Sequence, residues 1–276
     1  MIAGVSTACM YPKPLEESLY ELAVNGIPSV EVFVNTSSEL KKNFAYGIAD
    51  TLKRFDVKCL SVHPFTSEME PIMFFSEYKR RFEDMLEFYK LYFQFMNIVG
   101  AEIFVFHGGK GSVNTPREAY CESYSRLYRL GKEFGVTVAI ENVARCLSGS
   151  ASFIRDIAGL MGKECAFVID TKQAVRSGEN PFNILEAAGK RTVHIHLSDS
   201  GELGDCLPMG KGRFQTKKFL SRLNELNPDC GVILELYKNS FRGISDLAVS
   251  CNVISKIIES LEDPEHVRFK HANHAK

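Results

Sequence analysis

Six residues of this 276-residue chain combine side chains suited to acid–base or metal chemistry with one kind of position: His63, His107, Glu141, Asp170, His196 and Glu235 each stand at or just beyond the end of a short β-rich run. Glu141 closes Val138-Ala139-Ile140, Asp170 closes Phe167-Val168-Ile169, and Glu235 closes Val232-Ile233-Leu234. A carboxylate that ends an apolar strand must be solvated, paired or bound to a cation. Three of them together need a counter-charge. A divalent metal supplies it compactly, and arginine or lysine pairing is the alternative. In Val193-His194-Ile195-His196-Leu197, period-two alternation puts both histidines on one face. Either could point inward. His196, nearer the strand end, is the choice for metal, and His194 is left to support it from a deeper layer. Imidazole mixed with carboxylate suits Mn²⁺ or Zn²⁺ first, with Co²⁺ or Fe²⁺ next, and favours Mg²⁺ less.

The elements that must position these residues recur along the whole chain. Eight β-rich runs fall at 2–7, 29–34, 57–62, 102–107, 137–141, 166–170, 192–198 and 232–237. Several carry consecutive Val, Ile and Phe instead of strict alternation, as parallel strands covered on both faces do. Helical periodicity lies between them, over 14–25, 39–55, 74–99, 116–134, 152–161, 181–188, 215–226 and 244–259. In 74–99, Phe82, Met85, Leu86, Tyr89 and Phe93 recur at intervals of three and four. The order predicts an α/β protein, a single (β/α)₈ TIM barrel over 1–276 with a peripheral or frayed tail at 264–276. The doubly wound rival wants a glycine-rich loop after an early strand, and the first loop reads Ala8-Cys9-Met10-Tyr11-Pro12. In a barrel the C-terminal strand ends meet on one rim, so residues far apart in sequence converge there.

Composition narrows the classes further. Thirty-three Lys and Arg against thirty-four Asp and Glu leave a net charge of −1, with no global field for nucleic acid or an anionic membrane. The eight cysteines form no CxxC pair and read as reduced, buried small hydrophobes. No signal-peptide pattern opens the sequence and no eighteen-residue apolar stretch follows, so a cytoplasmic protein is expected.

The strand endings Ser61-Val62-His63-Pro64-Phe65, Phe106-His107-Gly108-Gly109, Ile140-Glu141-Asn142, Ile169-Asp170-Thr171, His194-Ile195-His196-Leu197-Ser198-Asp199 and Leu234-Glu235-Leu236 together resemble the xylose-isomerase-like TIM-barrel superfamily. Within it the chain most resembles the sugar and sugar-phosphate isomerases and epimerases, whose fold also houses the AP endonucleases. The resemblance runs from the first strand to the last helix. It implies one divalent metal held by Glu141, Asp170, His196 and Glu235. It further implies that Glu141 and Glu235, on opposite sides of a substrate carbon, exchange its proton while the metal favours a cis-enediolate. Two opposed bases permit epimerisation, and one base moving a proton between neighbouring carbons permits aldose–ketose isomerisation.

Two departures stand out: Gln173 fills the place of the histidine in the usual Asp-x-x-His, and Cys206 replaces histidine ahead of Leu207-Pro208-Met209-Gly210-Lys211-Gly212. In the AP endonuclease branch a further metal would use His63, His107 and Glu141, and a third would need the positions of Gln173 and Cys206. His63 and His107 therefore either bind a second metal with Glu141 or hydrogen-bond sugar hydroxyls, and the second role is favoured.

Other signals are secondary. Glu31, between Val30 and Val32, reads as structural support. Gly108-Gly109-Lys110-Gly111-Ser112 lacks the full phosphate-loop pattern, so no nucleotide cofactor is expected. Lys211 and Arg213 after the seventh strand, with Lys238 and Arg242 after the eighth, could form a phosphate pocket or merely solvate the rim. Asn142, Arg145 and Gln173 complete the candidate substrate contacts. The aromatics of 74–99 fit barrel packing first and a homo-oligomer interface second. The expected function is a metal-dependent sugar or sugar-phosphate isomerase or epimerase with a small-molecule substrate and no nucleic-acid partner. A binuclear phosphoesterase of the AP-endonuclease kind and a non-catalytic sugar-binding barrel are the alternatives.

Overall fold

The computed structural model describes residues 1–112 and 115–262, so the tail expected at 264–276 lies outside the described residues. Eight parallel strands close into a barrel: β1 Ile2–Ser6, β2 Ser29–Val34, β3 Lys58–Pro64, β4 Ile103–Phe106, β5 Thr137–Glu141, β6 Phe167–Asp170, β7 Thr192–Leu197 and, after a short hairpin, β10 Gly231–Leu234. Each expected run became a barrel strand, and β1 seals the ring by pairing β2 on one side and β10 on the other. The reason is composition: Val138, Ala139, Ile140, Val168, Ile169, Val232, Ile233 and Leu234 are all inaccessible to solvent, so these strands needed apolar side chains on both faces.

Helices α1 Leu15–Val24, α2 Lys42–Phe55, α5 Arg117–Glu133, α6 Ala151–Met161, α8 Pro181–Ala188, α9 Thr216–Leu226 and α10 Ile244–Glu262 follow the expected pattern. The segment 74–99 does not form one helix. A short helix, α3 Glu70–Phe74, comes first, and α4 Lys79–Val99 starts after a turn in which the Tyr78 amide donates to Ser76 Oγ at 3.1 Å. The aromatic stripe is used inside the barrel wall: Tyr89, Tyr92 and Phe93 of α4 pack edge-on against Phe104 of β4. Burying each such ring contributes about 1.5–3 kcal/mol, enough to anchor α4 on β4. No helix among the described residues is long and apolar enough to cross a membrane. All eight cysteines are free.

Two features had no counterpart in the sequence reading. A hairpin, β8 Asp199–Gly201 with β9 Gly204–Leu207, rises from the rim directly after β7, and a six-residue helix, α7 Thr171–Arg176, begins at the end of β6. Both stand beside the candidate residues.

Candidate functional site

The barrel interior below the rim carries a polar layer. Ser6, Glu31, Ser61 and His194, from β1, β2, β3 and β7, are fully buried there. Glu31 accepts hydrogen bonds from Ser6 Oγ at 3.1 Å and Ser61 Oγ at 2.7 Å, and Ser61 Oγ lies 3.0 Å from His194 Nε2. Gly231 leaves room for this layer, since a Cβ there would sit 2.7 Å from His194 Nδ1; on the neighbouring β1, a Cβ on Gly4 would lie 2.7 Å from Ile233 Cδ1 and run into Ser29.

Above the layer stands His196, whose two ring nitrogens look in opposite directions. Nε2 lies 2.9 Å from Glu31, while Nδ1 lies 2.9 Å from Glu141 and 3.5 Å from Glu235. The contact below therefore orients the nitrogen above, as an outer carboxylate does for a metal-binding histidine. Glu31, read from sequence as structural support, thus acts on the candidate site through His196. Its signal was a carboxylate between two valines, which shows that it is buried without showing what it meets.

One ligand atom from each of Glu141, Asp170, His196 and Glu235 can be chosen so that all lie within 4.8 Å of one another. The donor set fits a divalent cation, and Asp170 offers an oxygen for one. Its Oδ1 accepts the Gln173 amide at 2.9 Å, but its buried Oδ2 receives no hydrogen bond. Burial pushes the Asp170 carboxyl up to about 7, with Lys172 opposing and Glu141 and Glu235 reinforcing the rise. Burial pushes Glu141 in the same direction, but His196 and His107 outweigh it and hold this carboxyl well below the usual range. Glu235 follows the same logic, with Lys172 and His196 overcoming burial. For His196, burial works against the proton, and Glu31, Glu235 and Glu141 together reverse that effect and raise its pKa well above the usual value.

A second group adjoins the first through Glu141. His107 Nε2 lies 2.8 Å from Glu141 Oε2 and 3.0 Å from His63 Nε2, and His63 Nε2 is 3.8 Å from Glu141. His63 is stacked on Phe33 with ring centroids 4.8 Å apart. The peptide that carries His107 is clamped from outside the barrel by Glu70, which accepts the His107 and Gly108 amides, each at 2.8 Å, and the Tyr89 hydroxyl at 2.7 Å. Sequence reasoning passed over Glu70 because it lies between the third strand run and the helix expected over 74–99, away from any strand end.

The remaining candidates are placed differently. Asn142 is fully buried and its amide is engaged at both ends with the Asp170 backbone, donating to Asp170 O at 2.9 Å and accepting from Asp170 N at 2.6 Å. Gln173 Oε1 accepts the Ala144 amide at 3.1 Å. Cys206 Sγ accepts the Tyr237 amide at 3.4 Å, beside Glu235. Arg145 pairs with Glu68. Arg213 is paired with Glu202 at 2.7 Å, Arg242 with Asp246 at 3.2 Å, and Lys238 lies over the Phe241 ring. Lys211 is exposed in the loop after the hairpin, whose backbone is gathered by Asp199, the acceptor for the Gly210, Gly212 and Phe214 amides.

One residue at the site was not anticipated. Lys172, on α7 and 3% exposed, puts Nζ 2.9 Å from Glu235 Oε2 and 3.2 Å from Asp170 Oδ2. The signal available was a lysine two positions after a rim carboxylate, where a charge is usually solvated.

A family model described as xylose isomerase-like TIM barrel matches residues 19–256. The chain belongs to that family. Several solved structures share the barrel of this xylose isomerase-like protein. A D-tagatose 3-epimerase-like protein superposes with a TM-score of 0.78 at 19% identity, covering 95% of this chain and 98% of its own. D-psicose 3-epimerase from Clostridium cellulolyticum H10, solved with D-tagatose, gives 0.72 at 12% identity over 94% of this chain and 99% of its own. The probable 3-DHS dehydratase AsbF from Bacillus anthracis gives 0.73 at 13% identity, over 92% and 99%. At these identities the likeness is one of fold. No curated protein sequence matches the chain.

Proposed function

We propose that this xylose isomerase-like barrel is a divalent-metal-dependent isomerase or epimerase of a small sugar or sugar phosphate. The observation that carries the reading is the placement of Glu141 and Glu235 from β5 and the end of β10, which approach the same His196 nitrogen at 2.9 and 3.5 Å and flank one cluster. A divalent ion held by Glu141, Asp170, His196 and Glu235 would draw electron density from neighbouring carbonyl and hydroxyl oxygens of the substrate and so acidify the intervening C–H. The ionised carboxylates do the proton work. A carboxylate removes the proton as a base, giving a cis-enediolate. The other, protonated from solvent, delivers that proton to the opposite face, which inverts the carbon, and the first carboxylate then loses its proton to solvent. Delivery to the neighbouring carbon by a single carboxylate gives an aldose–ketose exchange instead.

His63 and His107 are suited to sugar hydroxyls, since neutral imidazole both donates and accepts. Asn142 and Gln173, held by the Asp170 and Ala144 backbone, set the loop that carries Asp170. Lys211, exposed after the hairpin, and Arg213, paired with Glu202, are the cations this reading assigns to a phosphate. The epimerases among the structural neighbours support this reading. Incubation of the Mn²⁺-loaded protein with a panel of ketoses and ketose phosphates in D₂O tests it. Deuterium should enter a carbon next to the carbonyl of at least one substrate. A folded, metal-loaded protein that exchanges no carbon-bound proton across the panel would count against it.

One observation favours a second reading. His63, His107 and Glu141 form another group that could hold an ion, which a binuclear hydrolase would need. Two ions per chain together with cleavage of an abasic-site duplex would establish that alternative.

A further inference from the structure

Lys172 places an ammonium against the carboxylates of the cluster. Glu141, Asp170 and Glu235 bring three acidic groups into one buried volume, and Lys172 Nζ sits against two of them, 2.9 Å from Glu235 and 3.2 Å from Asp170. The ammonium is itself buried, at 3% exposure, and its other neighbour is the Tyr237 ring, whose centroid is 4.7 Å away. Arg176, one turn later on α7, lies over the same ring and is tied to Asp205 of the hairpin at 2.5 Å. This cage of α7, Tyr237 and β9 holds the lysine against the Asp170–Glu235 edge. Asp170 Oδ2 is buried, lies 3.2 Å from Lys172 Nζ and accepts no hydrogen bond among the described residues.

We infer that Lys172 is a built-in cation of the cluster, one that neutralises the Asp170–Glu235 edge before metal arrives and opposes the divalent ion for the same two carboxylates. Two cations sharing one edge repel each other in a medium that screens them weakly. The lysine therefore weakens metal binding and stabilises the metal-free barrel. Its role is to set the affinity of the site, distinct from the proton transfer assigned to Glu141 and Glu235. The inference rests on the proposed divalent site and deepens it.

Calorimetric titration of Mn²⁺ into the chelator-treated wild type and the Lys172→Met and Lys172→Gln variants tests it, with melting curves recorded for each form. Both variants should bind Mn²⁺ at least about tenfold more tightly, and their metal-free forms should melt below the wild type. Equal or weaker Mn²⁺ binding by folded variants would overturn the inference while leaving the proposed function standing. Failure of wild type and variants alike to bind any divalent ion would overturn both. If neither variant folds, the unmutated protein decides by reductive methylation read by mass spectrometry. Mn²⁺ should raise labelling of Lys172, and labelling that stays constant while metal is bound would overturn the proposal.

Discussion

His196 is the residue on which the site turns, because its ring joins the buried polar layer to the cluster above it: Glu31 holds Nε2, and Nδ1 faces Glu141 and Glu235. Replacing Glu31 by Gln should therefore reduce metal affinity by about 10- to 100-fold without touching the cluster directly, as measured by calorimetry. Glu141→Gln and Glu235→Gln should each lower turnover by about 10²- to 10⁴-fold, with circular dichroism unchanged. Asp170 supplies a pH dependence. Its folded-state pKa of about 7 lies above the ordinary 3.8, so the group favours the folded metal-free chain below pH 3.8 and that contribution is lost as pH rises through 7. A bound cation needs the ionised form, so metal affinity should rise with pH up to about 7 and then flatten for this group, with a proton released on binding below that pH. Titrations in buffers of differing ionisation enthalpy would show it. At this scale sequence reading was uneven. Glu141, Asp170 and Glu235 were legible because each ends an apolar run, and His196 because alternation puts it on one face with His194, nearer the strand end. Glu31 and Lys172 were not, because what distinguishes them is distance across the barrel to His196 and Glu235.

At the scale of elements, the eight strands were legible because a strand buried on both faces must be apolar throughout, and few other segments of the chain are. The hairpin Asp199–Gly201 with Gly204–Leu207 was not, since its order comes from Asp199 gathering three loop amides and from Arg176 gripping Asp205. The helix expected over 74–99 begins at Lys79, because the aromatic and apolar pattern continues through the turn at 75–78 and periodicity alone does not show that turn. The same dependence on close approach makes β10 sensitive. Gly231→Ala would place a methyl 2.7 Å from His194 Nδ1 and should cost about 1–3 kcal/mol of stability in urea unfolding, by disturbing the layer beneath His196. An Ala variant as stable as wild type would show that the layer gives way easily.

For the whole molecule, fold and site are one construction. Closure of β1 on β10 brings six residues, spread from His63 to Glu235, to one end of the barrel, and the polar layer below them joins β1, β2, β3 and β7. Metal bound there crosslinks β5, β6, β7 and the end of β10, so at about a hundred times the dissociation constant it should stabilise the barrel by about 2.7 kcal/mol, a rise of about 5 °C or more in melting temperature that chelator reverses. The central claim is that the Glu141–Asp170–His196–Glu235 cluster holds a divalent ion. Elemental analysis of protein purified without chelator, and again after reconstitution with Mn²⁺, Co²⁺ or Zn²⁺, tests it most directly. The account predicts about one ion per chain, lost in the His196→Ala variant; protein that stays metal-free after reconstitution would contradict it.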